Sequence, residues 1–135
     1  MPVKHLRILV VDDQPYVRRA IRSLLESKHD WEICGEASDG HEAIEKTGEL
    51  HPDVIVMDMS MPKLNGLEAT RYIHEFYPDS SVVILTLHDF PDLPRMAREA
   101  GAKGYVLKGS SSQLLIPAVQ SVSNRTPFFE RPGPV

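Results

Sequence analysis

The 135-residue chain carries 15 Lys+Arg against 19 Asp+Glu, a formal net charge of −4, with 41% hydrophobic and 25% charged residues. That length and mixture fit one globular domain with a single core, and they exclude both a disordered chain and a membrane-spanning one. The mildly acidic balance argues against nucleic acid as the partner of this domain, and the lone Cys34 excludes an internal disulfide framework.

The first apolar run, Ile8-Leu9-Val10-Val11, is continuous and β-branched, as strands are when both faces of a parallel sheet are covered. Pro15 opens the helix that follows, because a proline at the first helical position gives up no useful donor. Val17, Ile21, Leu24 and Leu25 keep helical spacing behind it. The second run, Ile33-Cys34, is the weakest, since Gly35 interrupts it. Asp39-Gly40-His41-Glu42 resembles a capping box for a second helix with Ala43, Ile44 and Leu50 inward. Val54-Ile55-Val56-Met57 is the third strand, and Leu67, Thr70, Ile73 and Phe76-Tyr77 pattern a helix that stops before Pro78. Val82-Val83-Ile84-Leu85 is the fourth strand, and Met96, Ala97 and Ala100 pattern its helix, with Gly101 as the C′ residue. Tyr105-Val106-Leu107 is the fifth strand. Leu114, Leu115, Ala118, Val119 and Val122 pattern a last helix that Pro117 is expected to delay or bend. Five strand–helix alternations predict an α/β fold with right-handed crossovers. Residues 1–123 form the expected domain, and the proline-rich 124–135 is expected to be an extended or disordered linker. Met1–Arg7 holds no apolar secretory segment, so a cytoplasmic location is expected and no membrane partner.

In open parallel sheets, ligand chemistry gathers outside the carboxyl ends of the strands. Strand one ends in Asp12-Asp13, strand three in Asp58, strand four in Thr86 and strand five in Lys108. Three carboxylates brought to one place repel, and a hard divalent cation relieves the repulsion. Mg²⁺, with Mn²⁺ as a substitute, suits oxygen ligands, while the absence of Cys from this cluster and the distance of most histidines argue against zinc. A cation, the Lys108 ammonium and the Thr86 hydroxyl together would hold the three equatorial oxygens of a phosphoryl group in transfer. Asp58 would then be a carboxylate nucleophile forming an acyl phosphate.

From Leu6 to about Val122 the chain resembles the receiver domain of bacterial two-component response regulators. The matching segments are RILVVDDQPYVRRAIRSLL, SDGHEAIE, PDVIVMDMSMPKLNGLEATR, VVILTLHD and AGAKGYVLKGSSSQLL. His88-Asp89 after Thr86 and the YVLKG ending are most similar to the subfamily with a helix-turn-helix output, the nitrate and nitrogen-fixation regulators. The resemblance implies a flavodoxin-like (βα)5 fold, doubly wound, with five strands in the order 2-1-3-4-5. It makes Asp58 the phosphoacceptor and Asp12 and Asp13 the Mg²⁺-binding pair, Asp12 acting through water. The carbonyl of Ser60 completes the ligands, and Thr86 and Lys108 contact the phosphoryl oxygens. Met61-Pro62 and Asn65-Gly66 match the turn after strand three. Tyr105 takes the aromatic switch position, turning inward as Thr86 moves.

The resemblance further implies a sensor histidine kinase as donor, a switched face around helix four, strand five and helix five, and homodimerisation on phosphorylation. It implies a switch rather than an enzyme, since the phosphoryl group ends on the protein's own side chain. Pro127-Phe128-Phe129 looks like the start of the exit toward a DNA-binding helix-turn-helix domain, with a stand-alone receiver as the alternative. Three features depart from the pattern: Gly109 rather than a proline follows Lys108, bulky Leu87 is expected to narrow access to the site, and Pro91 and Pro94 to stiffen the segment before helix four. The last two keep open an alternative, a phosphorylation-independent interaction module on the same fold. A haloacid-dehalogenase-like phosphatase would want an Asp where Ser60 stands, and a flavodoxin-type phosphate loop would not carry Asp12-Asp13. Asp12 and Asp13 have the simpler reading of capping the first helix. Met57, Met59 and Met61 are expected to fill gaps, Cys34 to be a small buried hydrophobe, and His5, His29, His41, His51 and His74 to lie on the surface.

Overall fold

A computed structural model describes residues 5–59, 61, 64–88 and 90–130. In chain order the elements are β1 (Leu6–Val11), α1 (Pro15–Glu26), β2 (Trp31–Ala37), α2 (Gly40–Leu50), β3 (Val54–Asp58), α3 (Gly66–Phe76), β4 (Ser81–Thr86), α4 (Leu93–Glu99), β5 (Gly104–Leu107), a 3₁₀ turn (Lys108–Ser110), α5 (Ser111–Ser123) and β6 (Phe128–Phe129). All strand pairs are parallel, in the order β2-β1-β3-β4-β5-β6.

Strand side chains alternate between two cores because successive residues point to opposite faces. Leu9, Val11, Ile55, Met57, Ile84 and Tyr105 meet Ala43, Ile73 and Ala97 of α2, α3 and α4. Ile8, Val10, Val54, Val56, Val83, Leu85 and Val106 meet Ile21 and Leu25 of α1 and Leu115, Val119 and Val122 of α5. Both faces are thus dry, which is why the strands are continuously apolar.

The weak second strand has a local cause. Ile8 pairs with Ile33 but Leu9 with Gly35, so Cys34 is skipped in a bulge. A Cβ on Gly35 would lie 2.6 Å from Leu50 Cδ1, so the interruption in the apolar run is where a helix side chain presses onto the strand. Cys34 is only half-buried, and burial raises its thiol above the ordinary range.

The predicted helix signals are present. The Asp39 side chain accepts from the Glu42 amide (2.8 Å), and the Glu42 carboxylate reaches back to the Ser38 amide (2.8 Å). Gly101 follows the α4 cap with φ +99°, the left-handed region glycine tolerates, and its missing side chain leaves room for the His74 ring. Pro117 neither delays the start of α5 nor interrupts it; α5 begins at Ser111 and is continuous to Ser123. Pro117 and Gln113, whose carbonyl loses its partner, are both exposed, so water can take the freed bond.

One expectation is corrected: the sheet has six strands, not five, because Phe128–Phe129, in the segment expected to be an extended or disordered linker, pair with β5. Phe128 donates its amide to the Lys103 carbonyl (3.0 Å) and Glu130 to the Tyr105 carbonyl (2.8 Å). Phe128 packs on the α1–α5 side and Phe129 on the α2–α4 side, where Arg98 stacks over its ring at 4.3 Å. Two adjacent aromatics with open backbone partners on β5 give even this short segment a strand's alternation. Residues 131–135 lie outside the described residues.

Candidate functional site

Parallel strands end on one side of the sheet, and that alone gathers the polar residues predicted from the sequence. Asp12 and Asp13 directly follow β1, Asp58 closes β3, Thr86 closes β4, and Lys108 follows β5. Asp12 continues the β1 ladder by donating its amide to the Ala37 carbonyl (3.1 Å), and its Oδ1 accepts from the Gln14 amide (3.0 Å). That bond turns the chain ahead of α1. It is not the helix cap, because α1 is capped at Gln14 with no side-chain bond. Asp12 is therefore free to aim its other oxygen into the site.

Asp12 is fully buried, Asp58 is 5% exposed and Asp13 is half-buried. Carboxylate oxygens of all three lie within 4.8 Å of one another. Lys108 Nζ donates to Asp12 Oδ2 at 2.8 Å and stands 3.2 Å from Asp58 Oδ1. One ammonium thus serves two carboxylates. Burial pushes the Asp58 carboxyl above its usual range and the Asp12 charge adds to this, with Lys108 opposing. Burial also works against the Lys108 charge, but the bond to Asp12 and the field of Asp58 outweigh it and hold the ammonium above the ordinary lysine range. The site therefore has surplus negative charge and a committed cation. Its donors are all hard oxygens, which fit a hard divalent cation rather than a thiophilic one.

Thr86 is buried and its hydroxyl accepts from the His88 amide (3.1 Å). Tyr105 is fully buried already, and its hydroxyl donates to the His88 carbonyl (3.0 Å). Both β4 and β5 side chains therefore hold the same residue, one at its amide and one at its carbonyl. The inward position that the resemblance assigns to a switched Tyr105 is the one present here. Leu87, expected to narrow access, stands 75% exposed. Ser60 and Pro62 lie outside the described residues.

The turn after β3 is set by Asn65-Gly66. The Asn65 side chain caps α3 at the Glu68 amide (2.9 Å), and the Gly66 amide donates to the Met59 carbonyl (2.9 Å). A Cβ on Gly66 would collide with the Asp58 carbonyl and Met59 Cα, so the absent side chain lets α3 begin against the backbone of Asp58.

Sequence reasoning missed two supporting residues. Arg18, one turn into α1, donates to the Asp12 carbonyl (2.6 Å) and to Glu36 (2.9 Å), which Arg22 also binds (2.9 Å). Burial works against ionised Glu36, but the two arginines prevail and lower its carboxyl below the usual range. Glu130, after β6, accepts from the Leu107 amide (2.7 Å) and the Ser110 hydroxyl (2.6 Å) on either side of Lys108. Arg18 had a signal, its helical spacing from Pro15 toward the end of β1. Glu130 had none short of knowing that the tail pairs with β5.

A family model described as the response regulator receiver domain matches residues 8–120. The chain is 36% identical over 118 residues to the transcriptional regulatory protein DegU of Brevibacillus brevis, covering 87% of this chain and 50% of that one. It is 41% identical over 117 residues to the response regulator UvrY of Escherichia coli K12, covering 87% and 54%. A LuxR-family two-component response regulator from Aurantimonas sp. SI85-9A1 superposes with a TM-score of 0.88 at 35% identity, covering 92% and 89%. The chain spans about half the length of the curated relatives it matches.

Proposed function

The chain belongs to the response regulator receiver domain family, and from that premise we propose that Asp58 is its phosphoacceptor and Lys108 its fixed counter-charge. Two-component signal transduction through phosphoryl acceptance is the function of that family. The observation that carries the residue assignment is that Lys108 Nζ lies within reach of both Asp12 (2.8 Å) and Asp58 (3.2 Å) of a three-carboxylate cluster.

In the proposed step an oxygen of the Asp58 carboxylate attacks phosphorus as the P–N bond of a phosphohistidine donor breaks. The donor imidazole leaves with the bonding pair and takes a proton. Lys108 and the Thr86 hydroxyl bind oxygens of the transferring group, where negative charge concentrates. Mg²⁺, or Mn²⁺ in its place, would be held by Asp12, Asp13, Asp58 and the Ser60 carbonyl, and when bound it neutralises the carboxylates and draws charge from the phosphoryl oxygens. Burial keeps Asp58 poorly hydrated and therefore nucleophilic. Water later releases phosphate from the same side chain, so the domain acts as a switch with self-limiting phosphorylation and not as a turnover enzyme.

The readout follows from His88. Thr86 drawn toward a phosphoryl group would give up the His88 amide, and the Tyr105 hydroxyl would follow the displaced carbonyl. That couples the acceptor to the face formed by α4, β5 and α5. A sensor histidine kinase is the proposed donor, a second copy the proposed partner after phosphorylation, and a DNA-binding domain the proposed output in the full-length protein. Among the described residues no helix is long and apolar enough to cross a membrane.

The direct test is intact mass after exposure to Mg²⁺ and acetyl phosphate. The wild type should gain one phosphoryl mass and Asp58→Asn should not. An equal gain on the variant would sink the assignment.

A further inference from the structure

The turn that carries Lys108 has little of its own to hold it in place. It is a single 3₁₀ turn, Lys108–Ser110, with no side-chain cap at its start. Its middle residue, Gly109, is exposed, and a Cβ there would meet nothing within 4 Å. Glycine also widens the backbone freedom of the turn. Yet Lys108 must place its ammonium within hydrogen-bond reach of two carboxylates at once.

The restraint comes from outside the turn. Glu130 Oε2 accepts from the Leu107 amide at 2.7 Å and Oε1 from the Ser110 hydroxyl at 2.6 Å. Both are short, charge-assisted bonds of the stronger class. One carboxylate therefore clamps the residue before Lys108 and the second residue after it. Glu130 is itself fixed by its amide bond to Tyr105 and by the two rings that precede it, Phe128 and Phe129, packed on opposite faces of the sheet.

We propose that Glu130 is a positioning residue for Lys108, and that β6 is through it energetically coupled to the phosphoryl site. The proposal rests on the reading of Lys108 as the group that binds the phosphoryl oxygens. The strap formed by residues 126–130 favours the turn geometry that faces Asp58. By reciprocity, a phosphoryl-like anion bound at Asp58 and Lys108 must in turn favour the docked strap. Occupancy of the site is thereby passed to the segment that leads out of the domain, along a route separate from Thr86 and Tyr105.

The experiment uses the full 135-residue chain with Mg²⁺ and beryllofluoride as the phosphoryl-like probe. Affinity is read by titration on folded protein, and the strap by amide exchange of peptides spanning 124–130. Glu130→Ala should weaken beryllofluoride binding about tenfold, within the usual range of coupling between sites. Ser110→Ala, which removes one arm of the clamp and leaves β6 in place, should weaken it by a smaller factor. Saturating beryllofluoride should slow exchange in residues 126–130 of the wild type and do so much less in Ser110→Ala. A merely structural Glu130 would lower the melting temperature and leave both the affinity of the folded protein and the exchange response unchanged, and that result overturns the proposal. Wild type that takes up no beryllofluoride, or Asp58→Asn that takes it up equally, would overturn the phosphoacceptor reading itself.

Discussion

Asp58→Asn should make the metal-free domain more stable, although it removes the residue on which the function depends. The Coulomb energies decide the sign. At 4.8 Å, the outer limit for this cluster, and an effective dielectric of about 20, each carboxylate pair repels by about 3.5 kcal/mol. Lys108 at 3.2 Å attracts Asp58 by about 5 kcal/mol on the same scale. Asp58 faces two carboxylates and one ammonium, so its charge is a net burden of about 2 kcal/mol before its lost hydration is added. A neutral amide keeps the shape and an acceptor for Lys108, and a gain of about 1–3 kcal/mol is expected in chelator at pH 7. At an m-value of about 1.5 kcal/mol/M that is a shift of roughly 1 M in the urea midpoint. The pH dependence gives an independent check. The folded pKa of Asp58 is raised, by burial first and Asp12 second, so over the window above the ordinary carboxylate range the native chain holds a proton the unfolded chain has lost. Wild-type stability must then fall as pH rises through that window, and the advantage of the variant must grow across it and level off above the raised pKa. Adding Mg²⁺ should shrink the gap, because binding to the native acids stabilises the wild type more. A variant no more stable than wild type in chelator at pH 7 would refute the account of the cluster as surplus charge.

Lys108→Met should do the opposite, leaving fully buried Asp12 without its cation. A loss of about 3 kcal/mol is expected in chelator, roughly 10 °C in Tm, since an ion pair broken from one side is costly. Calorimetry with and without Mg²⁺ measures it, and partial recovery with the metal is expected. Tyr105→Phe removes the bond to the His88 carbonyl and should cost about 1 kcal/mol by urea titration. Gly66→Ala forces a methyl against the Asp58 carbonyl, and a loss of about 2–4 kcal/mol with slower phosphorylation should follow. Unchanged stability there would mean that α3 does not start against the acceptor's backbone.

Much of this arrangement was legible because it depends on strand ends. A parallel sheet fixes where each β-strand stops, so Asp12, Asp13, Asp58, Thr86 and Lys108 converge from sequence position alone. Gly101 was legible for a similar local reason, the left-handed residue that ends a helix. The delayed start expected from Pro117 did not follow, because the helical pattern gave no weight to which side of α5 it would occupy. Phe128-Phe129 stayed hidden between Thr126-Pro127 and Pro132, too short to show periodicity. Glu130 acts through tertiary contacts with residues 20 or more positions away, which no local pattern encodes, whereas Arg18 had the cue of its helical spacing six positions past Asp12.

The two-residue β6 has a further consequence for how the molecule behaves in solution. While it is docked, the carbonyls of Lys103 and Tyr105 and the amide of Leu107 are occupied. A chain shortened at Ser123 would present those groups as a bare row beside an apolar strand, a template on which strands of other molecules can pair. Such a truncation, drawn at the end of α5 by the helical pattern alone, would be prone to self-association and aggregation. On this reasoning the few residues that look like dispensable tail would serve as the domain's gatekeeper.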